Sequence, residues 1–265
     1  MIDHAGKTAL ITGGASGIGR ALAVGLAARG ATVLLADRDL AGAEQAAAEI
    51  GSGASAIACD LSDPTAPSTL IAAAFDRLGR VDLVCSNAGV SHNKRMLREP
   101  FDAVADTVFE VNMFAGLRLA QAYVPRLEAQ GDRGRMMFTG SENSLSVPDA
   151  VKRFGLGVYA ASKHGLLIML EWLKVETEQK PIDLHVLLPG GVYTPLVSAG
   201  LPDISQIPPE MNIMSAERCA ELALRGMDLG LFYIPTHAHI ADDIRPRAEG
   251  LLHSLRALGL KDAEG

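Results

Sequence analysis

A tyrosine and a lysine four residues apart are the clearest candidates for chemistry in this sequence. Tyr159 and Lys163 fall in Val158-Tyr159-Ala160-Ala161-Ser162-Lys163, a segment predicted to be helical. Side chains at this spacing lie one above the other on a helix, so the phenol and the ammonium would share a small volume. A nearby cation favours the phenolate over a phenol that normally titrates near pH ~10. The pair predicts an activated tyrosine that acts as an acid/base, although such spacing also arises by chance on amphipathic helices.

Two further polar side chains could join this pair. Ser141 follows the predicted strand Gly134–Thr139, where its hydroxyl could donate to a substrate oxygen, and Ser144 is the competing choice. Asn112 is a poor helix former inside a long apolar-periodic helix predicted within residues 101–128. It either has a local hydrogen-bonding role or is exposed.

A glycine-rich turn follows the first predicted strand, Lys7–Thr12, and leads into a predicted helix over 18–29. Such a turn lets the backbone approach a pyrophosphate and aims free N–H groups and the positive helix end at it. This order favours dinucleotide binding over a tight turn without a ligand. The predicted contact residues are Gly13, Ser16, Gly17, Ile18 and Gly19.

Asp37 stands at the end of the second predicted strand, 31–36. A carboxylate there can accept hydrogen bonds from both ribose hydroxyls of an adenosine and would repel a 2′-phosphate, which argues for NAD over NADP. Arg38 complicates this interpretation, because it could pair with a 2′-phosphate or stack on the adenine.

Other candidate cofactor contacts follow later strands, where open α/β sheets bind ligands. Asp60 could accept the adenine amino group or could equally cap a helix. The remaining candidates are Leu61, Asn87, Ala88, Gly89, Pro189, Gly190, Val192 and Thr194.

Strands and helices alternate along the whole chain, which predicts an α/β fold in a single domain over 1–265. A proline-rich stretch without periodicity within 192–214 is a candidate lid, and 235–265 is a C-terminal extension. The segment 145–157 is expected to border the substrate site. An apolar stripe on the Tyr159 helix fits a subunit interface; it consists of Leu166, Leu167, Leu170 and Leu173.

Composition excludes several classes of partner. The chain has 265 residues, 48% of them hydrophobic, and a formal charge of −7, so it offers no basic surface for nucleic acid or an anionic membrane. No apolar stretch is long enough to cross a bilayer, and we expect a soluble cytoplasmic protein. His237 and His239 could share one face of an extended segment, but no third ligand is evident and no metal is predicted.

Taken together, these residues resemble the short-chain dehydrogenase/reductase family over nearly the whole chain. The resemblance rests on Thr12-Gly13-Gly14-Ala15-Ser16-Gly17-Ile18-Gly19, Asp60, Asn87-Ala88-Gly89, Asn112, Ser141, Tyr159 with Lys163, and Pro189-Gly190 with Thr194. It implies a Rossmann-type, doubly wound, seven-stranded parallel sheet with NAD(P) at its carboxyl edge. It also implies a homo-oligomer, commonly a tetramer that uses the two long helices.

The resemblance also implies roles for four residues. Tyr159 resembles the acid/base, and Ser141 the residue that orients the substrate and stabilises its oxyanion. Lys163 resembles the group that lowers the tyrosine pKa and holds the nicotinamide ribose, and Asn112 the anchor of a water relay. The spacing between Ser141 and Tyr159 is longer than usual in the family, so the loop around 152–155 is interpreted as an insertion, and Glu142 beside Ser141 is unusual.

We therefore predict an NAD-dependent oxidoreductase acting on CH–OH groups, with hydride passing between NAD and a secondary alcohol or ketone. The alternatives are an NADP-dependent ketone reductase, a non-catalytic NAD-binding protein, and a dehydratase or epimerase on the same fold. An apolar pocket for a secondary, cyclic or aromatic alcohol is suggested by Phe154, Tyr193, Leu196, Leu201 and Met214.

Overall fold

Seven parallel strands form the central sheet of this computed structural model, which describes residues 4–51, 53–98, 101–198, 205 and 212–260. Their order across the sheet is β3-β2-β1-β4-β5-β6-β9. The first three strands are added toward one edge and the later strands toward the other, so the strand order switches between β1 and β4. The strands are β1 (Thr8–Thr12), β2 (Thr32–Asp37), β3 (Ala54–Ala58), β4 (Leu83–Ser86), β5 (Gly134–Thr139), β6 (Ile182–Leu188) and β9 (Tyr233–Pro235). This is the doubly wound, Rossmann-type sheet that the sequence predicts.

Helices cover both faces of the sheet. They are α1 (Gly17–Ala27), α2 (Leu40–Ile50), α3 (Ala66–Leu78), α4 (Ala103–Phe109), α5 (Ala115–Gln130), α6 (Gly157–Glu176), α7 (Pro195–Ser198), α8 (Ala216–Asp228) and α9 (Ile240–Ala257). Two short strands, β7 (Val192–Tyr193) and β8 (Met214–Ser215), pair in parallel outside the main sheet.

The central strands are apolar on both sides because both sides are covered. Every residue of β1 is buried, and Ile11 and Leu10 belong to two separate hydrophobic clusters on opposite faces of the sheet. Such continuous burial is typical of parallel strands between two helical layers. It holds the carboxyl ends of β1, β4, β5 and β6 side by side, at the edge where the candidate residues lie.

One turn of π-helix, Glu110–Phe114, joins α4 to α5, so the long helix predicted within 101–128 is continuous but locally widened. Asn112 is the buried residue of this turn. Single π-turns inside α-helices are frequent at functional sites, because the extra residue turns a side chain out of its regular position.

The start of α6 is Gly157, and Leu166, Leu167 and Leu170 are buried in the core. The stripe predicted as a subunit interface is therefore mostly core, since it packs against the sheet. The last strand is Tyr233–Pro235, and the terminal helix begins at Ile240. Among the described helices, none combines the length and apolar character needed to span a lipid bilayer.

Candidate active site

A cavity of about 630 Å³ runs along the carboxyl ends of the strands, within the size range of cofactor pockets. All the residues predicted to contact the cofactor line it except Gly19, and Ser141 lines it too. The glycine turn and Asp37 therefore share one cavity with Ser141, Tyr159 and Lys163.

Gly19 has a structural role in the turn. A Cβ at this position would lie 2.0 Å from the carbonyl oxygen of Gly13 and 2.6 Å from Nδ2 of Asn87. Gly19 does not line the cavity and lies behind the turn, so its expected ligand contact stays a prediction. Its missing side chain lets the first turn of α1 pack on the glycine loop.

The loop before α1 can hold a diphosphate. Gly13 and Gly17 have φ angles of +67° and +54°, which favour glycine, and a Cβ on Gly17 would lie 3.1 Å from Cγ2 of Thr194. Ser16 is the N-cap of α1 but makes no side-chain capping bond, so the first-turn N–H groups of α1 are not occupied by it. These features fit an anion held between the turn and Thr194.

Thr12, just before this turn, ties two strand ends together. Its hydroxyl accepts hydrogen bonds from the backbone N–H groups of Asn87 (2.9 Å) and Ala88 (3.1 Å). Thr12 also lines the cavity, although it was not among the cofactor contacts predicted from the sequence. A hydroxyl at the last position of a buried strand was the signal that could have identified it.

At the other end of the cavity, backbone groups hold the Asp37 carboxylate in place. Its oxygens accept from the N–H groups of Ala15 and Asp39, each at 3.0 Å, and the neighbouring Arg38 is exposed. Because two backbone donors orient it, the side chain of Asp37 is held in one position at this end of the cavity.

Asp60 also lines the cavity but does not cap a helix. Its Oδ1 accepts from the N–H of Ser62 at 2.9 Å, and this bond is the main reason that the pKa of Asp60 lies below its ordinary value. The following helix, α3, begins at Ala66 with Thr65 as its N-cap, so the helix-cap alternative is wrong.

Tyr159 and Lys163 occupy the same face of α6, at the inner end of the cavity. The Nζ of Lys163 lies 5.9 Å from the centroid of the Tyr159 ring and donates to the carbonyl oxygen of Thr139 at 2.7 Å. Lys163 is buried, and burial lowers its pKa to about 8. An ammonium in such a place is easily deprotonated.

The pKa of Tyr159 is shifted in the direction opposite to the one expected from the sequence. Burial raises it, a hydrogen bond with Ser141 lowers it, and the charge of Glu142 raises it again. The prediction that Lys163 makes this phenol acidic is wrong for the protein alone, because desolvation of the phenolate is the larger effect.

Ser141 rather than Ser144 presents its hydroxyl to the cavity. The Ser141 Oγ accepts from the backbone N–H and side-chain amide of Asn143, at 3.2 and 3.3 Å. The Ser144 hydroxyl is fully buried and accepts from the N–H of Ser141 at 3.1 Å. Ser144 therefore shapes the loop, and Ser141 is the group that can meet a substrate.

Asn112 does have a local hydrogen-bonding role. Its Oδ1 accepts from the N–H of Val90 at 2.8 Å, and its Nδ2 donates to the Val90 carbonyl (2.9 Å) and the Ser162 hydroxyl (3.1 Å). Asn112 does not line the cavity. A Cβ on Gly89 would lie 3.3 Å from its Oδ1 and 3.6 Å from the Nζ of Lys163, so this glycine keeps the amide and the amine close.

The side chains expected from the sequence to form an apolar pocket do not all line the cavity. Leu196 lines the cavity, whereas Phe154 is exposed and Tyr193 and Met214 belong to the β7–β8 pair. Leu201 and most of the candidate lid lie outside the described residues.

The loop around 152–155, which is interpreted as an insertion, packs on the segment after β4. A Cβ on Gly155 would approach the backbone of Lys94 at 3.0 Å, and one on Gly157 would meet Sδ of Met96 at 2.4 Å. The segment after β4 reaches the cavity through Val90 and Ser91. No residue of 145–157 lines the cavity itself, so this loop borders it only through the segment after β4.

His237 and His239 lie near each other, with ring centroids 5.2 Å apart, but their nitrogens have other partners. Nε2 of His237 is 2.9 Å from the Asn212 carbonyl, and Nε2 of His239 is 2.8 Å from Oε2 of Glu142. Within the described ranges, one group of potential ligand atoms, from Glu142, His239 and Asp243, falls within 4.8 Å. The direct bond between Glu142 and His239 accounts for the proximity of these two groups without an ion.

Two features of the site were not found from the sequence. Thr139 lines the cavity, donates to Oδ1 of Asn87 at 3.0 Å and offers its carbonyl to Lys163. Its place at the last position of β5, one residue before Gly140, is the same signal that marks Thr12. The bond between Glu142 and His239 joins residues far apart in the chain, and no sequence signal indicates it.

Comparison with known proteins identifies relatives of the whole chain. A profile of the family described as short chain dehydrogenase matches residues 7–203. The chain is 37% identical to 1-deoxy-11-beta-hydroxypentalenate dehydrogenase of Streptomyces avermitilis over 237 residues, which cover 88% of this chain and 85% of that protein.

Solved structures share its fold. A short chain dehydrogenase/reductase from Burkholderia phymatum in complex with NAD superposes with a TM-score of 0.81 at 24% identity, covering 100% of this chain and 99% of the other. A short-chain dehydrogenase from Sphingobium yanoikuyae in complex with NADPH has a TM-score of 0.76 at 24% identity, covering 98% of each chain. Proteins of this fold thus bind either dinucleotide.

Proposed function

The chain belongs to the short-chain dehydrogenase/reductase family and is an oxidoreductase acting on hydroxyl or keto groups, and from this premise we propose that it is an NAD-dependent dehydrogenase of secondary alcohols. Bound NAD would supply the hydride acceptor. The protein supplies the acid/base, the donors that hold the substrate oxygen, and the geometry of hydride transfer.

One observation carries this proposal: Ser141, Tyr159 and Lys163 line the same cavity as the glycine turn and Asp37. A dinucleotide with its diphosphate over the turn and its adenosine ribose at Asp37 would place its far end beside Tyr159. A non-catalytic NAD-binding protein has no physical need to keep a buried lysine beside a tyrosine, since burying that charge costs free energy.

In this proposal Tyr159 exchanges the proton of the substrate oxygen. The Ser141 hydroxyl holds the same oxygen and stabilises the negative charge that develops on it. Lys163 contributes a positive charge near the phenol and can bond the nicotinamide ribose. Asn112 acts through the backbone of Val90, which it fixes from both sides, and is a candidate anchor for a water relay to Lys163.

The preference for NAD rests on Asp37. Its fixed carboxylate can accept hydrogen bonds from two ribose hydroxyls, whereas a 2′-phosphate would bring a second anion against it. Arg38 is exposed at the edge of the cavity and stacks on the adenine in this proposal. Asp60, at the same end, accepts from the adenine amino group. A lower KM for NADP than for NAD would overturn this assignment.

For the substrate we propose an apolar cyclic secondary alcohol. The apolar side chains that line the cavity include Val90, Val111, Leu196 and Val197, which offer no charge to a substrate. The relative from Streptomyces avermitilis is named as the dehydrogenase of a hydroxypentalenate, which supports a cyclic substrate for this chain as well. We also propose a cytoplasmic homo-oligomer, as expected from the sequence.

Replacing Tyr159 by phenylalanine tests the proposed chemistry. A panel of cyclic and acyclic secondary alcohols is first screened with NAD by following NADH absorbance. With the best substrate, Tyr159→Phe should lower kcat by about 10²- to 10⁴-fold, the typical contribution of a positioned acid/base. The affinity for NADH, measured by fluorescence titration, should stay within about twofold because the variant keeps the ring and its packing.

Two results would contradict the proposal. Near-normal turnover of Tyr159→Phe would remove Tyr159 from the chemistry. Product formation without a stoichiometric change in NADH would indicate a dehydratase or epimerase instead.

A further inference from the structure

Glu142 is a buried carboxylate next to Ser141, and its neighbours come from three separate parts of the chain. It is 6% exposed, and its Oε2 lies 2.8 Å from Nε2 of His239, the residue that precedes α9. Its backbone N–H donates to the carbonyl of Pro189, beyond the end of β6, at 2.8 Å. The catalytic loop is thus bonded both to the sheet and to the C-terminal segment through one residue.

Gly190 makes room for this arrangement. A Cβ at Gly190 would lie 2.8 Å from Oε2 of Glu142 and 2.6 Å from Nδ1 of His237. Gly190 lines the cavity and Glu142 does not, so the carboxylate lies directly behind the cavity wall. Glu142 is therefore close enough to position the site without touching a ligand.

Titratable side chains face Glu142 from each element packed around it. His239 is the N-cap of α9, and Asp243 lies in the first turn of that helix. The Oδ2 of Asp243 is 4.0 Å from the Nε2 of His239. His237 approaches from the segment before α9, and Tyr159 from α6. Burial raises the pKa of Glu142 and the bond to His239 lowers it, so His239 is the partner that favours the carboxylate.

We propose that the Glu142–His239 bond is a positioning bridge, which fixes the Ser141 loop against the C-terminal segment and so holds the Ser141 hydroxyl at the substrate oxygen. The inference rests on the proposed function and extends it to a pair of residues that touch neither substrate nor cofactor. It explains why a carboxylate follows Ser141, where a buried charge without a partner would be costly.

The charge of the bridge has a consequence that can be measured. Glu142 raises the pKa of Tyr159, so an uncharged residue of the same shape should let the phenol ionise at lower pH. Glu142→Gln keeps an oxygen that can accept from His239. The variant should therefore keep most of kcat. The rise of kcat with pH in alcohol oxidation should occur at lower pH than in the wild type.

Removing the other partner tests positioning. His239→Ala should lower kcat by about 10²-fold, the effect of a misplacement of about 1 Å, while the KM for NAD stays within about twofold. The effects of Glu142→Ala and His239→Ala should be less than additive in the double variant, because each change removes the same bond. Arg245→Ala is the control, since it removes an exposed ion pair with Asp242 on the same helix and should change neither parameter.

Amide hydrogen exchange separates the bridge from the proposed chemistry. His239→Ala should accelerate exchange at Asn143, Ser144 and Leu145, whose N–H groups are bonded within the Ser141 loop, and Arg245→Ala should not. This readout needs no substrate, so it remains valid if the wild type oxidises no alcohol. If His239→Ala does not fold, the same exchange measurement is made on Glu142→Ala, which removes the other partner of the bond. Unchanged exchange at these three amides would overturn the proposal.

Discussion

Tyr159 is subject to opposing effects in this site, and burial is the largest of them. Burial and the charge of Glu142 hold the phenol in its protonated form, while the hydrogen bond with Ser141 favours the phenolate. A protonated phenol is ready to give its proton to a carbonyl oxygen, which suits ketone reduction. In the oxidation of an alcohol the same residue must first lose that proton, so the rate of oxidation should rise with pH.

Lys163 should make the stability of the protein depend on pH in a predictable direction. Its pKa is about 8 in the folded protein, against 10.5 for a free lysine. Below pH 8 both states are protonated and the burial penalty is complete. Between these two values the unfolded chain binds more protons, so the free energy of unfolding rises with pH. Relative to Lys163→Met, the wild type should gain about 3 kcal/mol over this range.

Urea unfolding of both proteins at several pH values measures this difference. Lys180→Met, which removes an exposed lysine paired with Glu128, controls for the loss of a surface charge. A difference between wild type and Lys163→Met that stays constant with pH would show that Lys163 is not desolvated in the folded protein.

At the level of residues, spacing predicted which groups meet but not how deeply they lie. The four-residue spacing of Tyr159 and Lys163 fixes their common face on any helix, and it placed them correctly. The depth of burial depends on the packing of other segments, which no local pattern contains. For that reason the predicted direction of the Tyr159 pKa shift was wrong, and the bond between Glu142 and His239 was not predicted.

Among the elements, the turn between β1 and α1 depends most strictly on its sequence. Gly13 has a φ of +67°, and a Cβ there would lie 2.9 Å from Cα of Ala88. Because the close atom belongs to the backbone of the next strand end, it cannot rotate away. The turn and the Asn87–Gly89 segment must therefore fit each other directly, and together they form the floor of the cavity.

Gly13→Ala should reduce cofactor binding as well as stability. A left-handed φ costs an alanine about 1 kcal/mol, and the contact with Ala88 adds to this by shifting the floor of the cavity. Gly79→Ala is the matched control: φ there is +74°, at the C-cap of α3, and nothing lies within 4 Å of a built Cβ. We expect both variants to lose about 1 kcal/mol or more in urea unfolding, and Gly13→Ala alone to lose NADH affinity. Equal NADH affinity in the two variants would contradict this.

Elements with strong periodicity were predicted almost residue by residue, and elements shaped by tertiary contacts were not. The strand β5 begins and ends where the sequence indicates, because a charged residue precedes it and a glycine follows it. The π-turn at Glu110–Phe114 was not predicted, since its extra residue leaves the apolar pattern of the helix almost unchanged. The β7–β8 pair was not predicted either, because it joins two-residue segments far apart in the chain.

For the whole molecule, the exposed apolar surface marks the faces on which we propose that another copy of the chain binds. On α6 the exposed large apolar side chains are Ile168, Trp172 and Val175, spaced as one helical stripe on the side opposite the core. Trp172 is 64% exposed, and large aromatic side chains are enriched in subunit interfaces. A second exposed stripe lies on α9, where it includes Leu251, Leu255 and Leu258.

Trp172→Glu should therefore dissociate the protein into 27.8 kDa chains, because a charge at the centre of an apolar interface would be desolvated without a partner. Sedimentation velocity of the wild type should give a dimer or tetramer, and the variant a monomer that keeps its secondary structure by circular dichroism. Leu255→Glu makes the same kind of change on α9 and should leave the oligomer intact. If Leu255→Glu dissociates it and Trp172→Glu does not, the interface lies on α9 instead. A monomeric wild type would contradict the proposal of a homo-oligomer altogether.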